Sequence, residues 1–321
     1  MSARPHPIVR ALARRIAASV AVLFGVSVLL YAATAVLPGD PATRMLGQDA
    51  TPENVAAMRS QLGLDRPVPV QYADWLGGVL TGDLGTATTG RPVGPLLRDR
   101  AGNSLILAGF AASLTVVIAL VVGVASGLRA GRPADSALSV GALVGVSVPD
   151  FVVAGVLISL FAFTFEWFPP VSLILAGGGP LDRPSILVLP TVALAVPAGA
   201  WASRYVRAAV VDARTAPNVE AARLAGLSPQ RVLLRHLLPG VIGPTAQVFA
   251  AATGFLVGGS VVVEGIFSYP GMGSLLASAV AVEDIDVILA TGLVMATAVV
   301  ASFLVADLAG VLSNPRLRTR P

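Results

Sequence analysis

The sequence predicts an all-α integral membrane protein of six transmembrane helices, with a further helical segment outside the bilayer between the first two. Composition, span length and charge placement predict it. Hydrophobic residues make up 55% of the chain against 12% charged, and mean hydropathy is +0.79, a balance foreign to soluble domains. Six stretches with few or no charges (16–37, 105–128, 136–165, 185–203, 245–263 and 287–306) are long enough to span the membrane. Each can cross the ~30 Å of hydrocarbon at ~1.5 Å per residue. The remaining charges sit beside these stretches with a bias in sign.

The first span follows a basic tail, 1–15, that carries Arg4, Arg10, Arg14 and Arg15. A secretory signal also starts basic, but its apolar core is shorter and a small-residue cleavage site should follow, so a retained helix is expected. Residues 38–104 are too punctuated to be a linker. Thr51 caps a helix with Pro52 at its first position, Val55, Met58 and Leu62 form a stripe, and Gly63 ends it. Tyr72, Trp75, Leu76 and Val79 then recur at helical spacing, with the two aromatics expected in the core of this folded cap.

Within the third span Asp150 follows Pro149. Ionisable residues at membrane depth are costly and often functional, so Asp150 either lines a solute path or faces a water-filled interior beside a proline kink. Pro190 and Pro197 interrupt the fourth span, as a bent lever or as packing features. Gly141 with Gly145, and Gly254 with Gly258, are spaced for close helix approach. Glu264 is expected to mark the end of the fifth span, and Asp307 to pair with an arginine.

Between the fourth and fifth spans lies a charged stretch, 220–239. Val219, Ala222 and Leu224 build a short helix, and Gly226 suits a left-handed cap. Ser228 and Pro229 open a second helix that displays Arg231 and Arg235 one turn apart. Leu233, Leu234, Leu237 and Leu238 give this helix an apolar side until Pro239 stops it.

All the basic residues are arginine, for a formal net charge of +4. With six crossings, the N-terminal tail, Arg129 and Arg132, the loop from Arg204 to Arg235 and the C-terminal tail with Arg316, Arg318 and Arg320 fall on one side. The positive-inside rule makes that side cytoplasmic, with both termini and the 220–239 stretch. Arginines beside apolar spans, without interleaved aromatics, argue against nucleic-acid binding. Without cysteine there is no thiolate metal site, and without lysine there is no Gly-x-x-x-x-Gly-Lys phosphate loop. His6 and His236 are far apart, so no metal site, cofactor or catalytic group is expected.

Glu220, Ala221, Ala222, Gly226, Leu238 and Pro239 resemble the EAA loop of permeases from binding-protein-dependent ABC importers. The resemblance implies that these six residues dock into a cleft of the ATPase on the cytoplasmic face. GDPA from Gly39, ATPE from Ala50, LGLD from Leu62, QYADWL from Gln71 and GDLG from Gly82 are similar, in order, to the first permease of dipeptide, oligopeptide and nickel importers. Ser147, Pro149 and Phe151 resemble that family's S-x-P-x-F, FSYPGMG from Phe267 its Pro-Gly turn, and Asp307 with Asn314–Arg316 its closing phrase. The chain departs from the family at Glu283, Asp284, Ile285 and Asp286, where an arginine and an aspartate usually precede a proline.

What the resemblance implies is a type I importer permease in the bacterial plasma membrane. Its partners would be a second permease, two ATPase subunits or domains and an extracytoplasmic solute-binding protein. Di- and oligopeptides would be the cargo, with nickel or another small solute as the alternative. Asp150 is the candidate pathway residue. The implied organisation is a tail 1–15, a first helix with external loop 16–104, a core 105–312 containing the coupling loop 204–243, and a tail 313–321. An ion-coupled secondary transporter would show an inverted repeat, and the sequence displays no convincing one.

Overall fold

The computed structural model describes residues 7–35, 40–175 and 177–313. Arg4, His6, Gly39 and the whole 314–321 tail, with its Asn314–Arg316 phrase, lie outside the described residues. The described residues form helices, turns and one isolated bridge between Thr86 and Pro92.

The first helix, α1 (Pro7–Ala35), leads into a cap of three shorter ones, α2 (Pro41–Leu46), α3 (Pro52–Gln61) and α4 (Val68–Thr81). Their punctuation is as the sequence predicts: the Thr51 hydroxyl accepts from the Asn54 amide at 3.3 Å, and Gly63 adopts a φ of +67° after α3. α4 packs back onto α1. Tyr31 of α1 lies 5.5 Å from Tyr72 and 5.6 Å from Trp75 between ring centroids, and the Ser27 and Tyr72 hydroxyls are 2.8 Å apart. The two aromatics therefore anchor the cap to the first membrane helix. Leu62, expected on the buried stripe of α3, is exposed.

α5 (Val93–Leu128) starts well before the apolar run at 105, because Arg98, Asp99 and Arg100 occupy its early turns beyond the apolar stretch. Its main partner is α8 (Ser185–Arg214), which runs parallel to it and passes unbroken through Pro190 and Pro197. The two helices touch backbone to side chain. A Cβ on Gly123 would lie 2.6 Å from that of Val206, and one on Gly127 would lie 2.7 Å from that of Val210. From the other side, a Cβ on Gly199 would meet Ile118 at 2.8 Å. Of the glycine pairs flagged by spacing, only Gly145 makes such an approach, to Ala200, while Gly141, Gly254 and Gly258 have open space.

The expected third span is not one helix. α6 (Pro133–Ser147) and α7 (Asp150–Leu157) are bent by 99° across Val148 and Pro149. Pro149 lacks the amide that would continue the ladder and holds its neighbour extended; Val148 has ψ 120°. α7 continues as a wider π-helical segment, Ile158–Thr164, into a cluster of Phe161, Phe165 and Trp167. Half-exposed aromatics at the end of an apolar helix suit a membrane interface.

After α8 come α9 (Pro217–Leu224) and α10 (Pro229–Val232). The chain then passes through a π turn, Leu233–Leu237, into α11 (Leu238–Ile266), which is followed by α12 (Met272–Ala281) and α13 (Ile285–Ser313). Pro239 therefore does not stop the helix as expected. It lies in the first turn of α11, directly after the wider π turn, where a missing amide donor is tolerated. Among the described residues, five helices are long and apolar enough to cross a membrane, and the bent pair makes up to six.

The charged ends gather as the arginine pattern requires. Arg15 of α1 pairs with Asp307 of α13, and Gln247 of α11 donates to the same carboxylate. Arg214 donates to the Gly127 carbonyl at 2.9 Å. The starts of α1 and α11 and the ends of α5, α8 and α13 thus share one end of the bundle, with α9 and α10.

Candidate functional site

The 217–237 elbow is a folded unit rather than a loop. Gly226, at φ +74°, follows α9 with two reverse bonds, from its own amide to Arg223 O at 3.0 Å and from Leu227 N to Ala222 O at 3.3 Å. This is the two-bond glycine ending that the sequence predicts, and it satisfies carbonyls left over at the end of the helix. Ser228 adopts the N-cap backbone, but its hydroxyl makes no capping bond.

Val219, Ala222, Val232 and Leu237 are buried in one cluster with Val206 and Val210 of α8 and Val241 of α11. The Asn218 amide adds a 3.1 Å bond to the His236 carbonyl. The elbow is thereby clamped to two membrane helices. Its outer face carries Glu220, Ala221, Arg223, Leu224, Gly226, Arg231, Leu234, Arg235 and Pro239, while Leu238 is half-buried. One expectation changes here: Ala222 points into the protein, where its small size lets α9 approach α8. Leu224, the last residue of α9, is 83% exposed and forms the apolar tip of the outer face.

Beside the elbow, Asp135 of α6 is buried and takes two 2.7 Å bonds from Arg207 of α8, through Nε and Nη2. It also accepts from Ser126 Oγ of α5 at 2.5 Å and from the Gly131 amide at 3.0 Å. One carboxylate thus joins three helices. No sequence spacing singles out this pair, since its partners are 72 residues apart.

Asp150 begins α7 at the bend. Its carboxylate presses on Gly259 of α11, where a Cβ would collide with it, and no described residue gives it a hydrogen bond or ion pair. It lines a groove of about 350 Å³ together with Pro149, Pro197, Trp201, Phe255 and Gly258. The Trp201 and Phe255 rings meet at 4.9 Å between centroids, tilted by 46°. Trp201 also lines a second groove of about 660 Å³ that continues along α8 past Arg204 and Tyr205.

At the other end of the bundle, Glu264 lies in the last turn of α11, as expected, and is fully buried. It accepts from Ser104 Oγ of α5 at 2.7 Å and from the Ser274 amide of α12 at 3.0 Å. Ser104 in turn accepts from the Met272 amide at 2.7 Å. The Tyr269 hydroxyl donates to the Asn103 carbonyl at 2.6 Å, and burial, then the nearby Glu264 carboxylate, raise its pKa above the usual phenol range and keep it neutral. The FSYPGMG turn is thus bonded to α5 on both sides. Next to it, Thr88 donates its amide (2.8 Å) and hydroxyl (2.9 Å) to Asp284, and the Thr86 amide donates to Asp286 at 3.0 Å. The acidic sequence that departs from the expected motif is what holds the 83–92 strap to α13.

A bundle of apolar helices that carries a clamped helical elbow at one end and an aspartate-lined groove along its side defines a membrane-embedded permease subunit. Residues 115–319 match the family model described as the binding-protein-dependent transport system inner membrane component. Residues 8–98 match the N-terminal membrane component model of the same systems. The chain belongs to this family. It is 32% identical over 306 residues to the probable peptide ABC transporter permease protein y4tP of Sinorhizobium fredii, covering 95% of this chain and 98% of that one. It is 31% identical over 308 residues to the oligopeptide transport system permease protein AppB of Bacillus subtilis, with the same coverage.

Proposed function

We propose that the chain is one of two permeases in an ATP-driven importer of peptides. Its 204–243 loop and both termini face the cytoplasm, and the cap between α1 and α5 faces outward. The proposed units are the tail 1–15, the first helix with its external loop 16–104, the core 105–312 and the tail 313–321. A solute-binding protein docks at the cap, and two ATPase subunits or domains engage the elbow. The peptide assignment draws on the likeness to y4tP, a probable peptide permease, and AppB, an oligopeptide permease.

The observation that carries this reading is the clamped elbow. Because Val219, Ala222, Val232 and Leu237 are packed against α8 and α11, a push on Glu220, Ala221 or Leu224 moves membrane helices rather than a slack loop. Gly226 fixes the angle between the two arms, Ala222 sets the depth of α9, and Leu238 and Pro239 join the elbow to α11. An ATPase that contacts this face differently in its open and closed states biases the inward- against the outward-facing bundle.

The test is reconstitution of the chain with the permease, ATPases and binding protein encoded beside it. ATP-dependent uptake of alanyl-alanine into vesicles supports the reading. Uptake driven by an ion gradient with no ATPase present, or labelling of position 226 from the outer surface in cells, overturns it.

A further inference from the structure

We infer that Asp150, at the bend between α6 and α7, is a binding site for the positively charged amino group of the solute in transit, with the Trp201 and Phe255 rings as its apolar wall. This rests on the reading of the chain as a peptide permease and adds which group of the peptide the bundle recognises.

A carboxylate within an apolar span is expensive unless it is paired with another group or faces water. Asp150 has no hydrogen-bonding or ion-pairing partner among the described residues, and it is half-buried, lying against Gly259 of α11 where it lines the groove. The face bearing that groove is therefore turned to an aqueous path rather than to lipid tails. The groove can admit a small organic group, and its lining is apolar apart from the one acid. Aromatic faces with an adjacent carboxylate are a chemistry suited to an alkylammonium ion and unsuited to an anion. Trp201 is shared with a second groove that runs along α8 past Arg204 to Arg207, on the side of the elbow.

The backbone keeps Asp150 in place. Pro149 and the 99° bend set the start of α7 against α11, and Gly259 leaves room for the carboxylate where any side chain would displace it. A straight third span would not make this groove between α7, α8 and α11.

The chain has no cysteine, so Phe151→Cys places a single thiol in the groove lining beside Asp150. In membranes carrying the full transporter, this thiol is treated with the cationic aminoethyl and the anionic sulfonatoethyl methanethiosulfonates, and labelling is read on this chain alone. The cationic reagent is expected to react faster by roughly tenfold, from the attraction of one charge at close range, and Asp150→Asn should abolish the preference. In the otherwise unsubstituted transporter, Asp150→Asn should lower alanyl-alanine uptake by about tenfold, with recovery in Asp150→Glu; a purely spatial role would give the reverse order, since Asn matches Asp in size. An unreactive thiol, a charge preference that survives Asp150→Asn, or unchanged uptake overturns the inference. The labelling ratio does not depend on the energy source, so it stands or falls separately from the ATP-driven reading.

Discussion

The Arg207 guanidinium closes on the Asp135 carboxylate through two parallel bonds of 2.7 Å, and this joins α6 to α8 beside the elbow. Ser126 brings α5 to the same carboxylate. Removing the carboxylate leaves the partly exposed Arg207 without its counterpart and Ser126 and the Gly131 amide without their acceptor. Asp135→Ala should therefore lower the unfolding midpoint of the bundle. Thermal unfolding in detergent reads this, and Asp135→Asn should fall between the two. Equal midpoints for all three proteins would show that the pair contributes nothing.

Gly127, like Gly123 one turn earlier, lets α5 approach α8 closely. The Val210 side chain occupies the space its Cβ would need, and the Arg207 carbonyl lies 3.1 Å from it. Gly127→Leu should force the helices apart at a cost of at least about 1–3 kcal/mol. Gly254→Leu, on α11 with open space around it, should be tolerated. Comparing yields of the two folded variants in detergent checks both halves of this expectation.

Gly226 and Leu224 separate the shape of the elbow from its contact face. Proline cannot adopt φ +74° and removes the amide that bonds Arg223 O, so Gly226→Pro should disorder the elbow. Gly226→Ala should cost only about 1–2 kcal/mol for the left-handed backbone. Leu224→Asp changes an exposed tip and should leave membrane insertion and thermal stability as they are. It should nonetheless weaken co-purification of the ATPase by tenfold or more, as about 1.4 kcal/mol of lost contact implies. Undiminished recovery of the ATPase with Leu224→Asp would remove this face from the docking surface.

Glu264 holds the α11–α12 turn against α5. Glu264→Ala strands the Ser274 amide and one bond of Ser104, each at about 1–3 kcal/mol, whereas Glu264→Gln keeps an acceptor for one of them. The alanine variant should therefore unfold at a clearly lower temperature than the glutamine variant. Equal midpoints would mean that the turn is held by Tyr269 and Asn103 instead.

The helical class, the apolar stretches and the elbow were legible in the chain because each depends on local chemistry. Hydropathy fixes a span by its length. Gly226 caps a helix by its own φ preference, and the caps at Thr51 and Gly63 work the same way. Of the six residues expected at the coupling surface, Glu220, Ala221, Gly226 and Pro239 lie on the outer face, whereas Ala222 lies inside. A short helix shows both sides in sequence, and which one packs depends on α8 and α11.

Tertiary structure decided the rest, for the same reason each time: the partners lie far along the chain. The bend at Pro149 turned an apparently continuous span into two helices and set Asp150 against Gly259. The pairs Asp135–Arg207, Ser104–Glu264 and Thr88–Asp284 join residues 72, 160 and 196 positions apart. Pro239 continued a helix it was expected to end, because a π turn before it absorbed the missing donor. The sequence by itself determined which stretches are apolar enough to span a membrane and where Thr51, Gly63 and Gly226 start or end a helix. Only the folded bundle decided which charges are paired and which one is left facing a groove, because a charge's partner is chosen by packing and not by its neighbours in the chain.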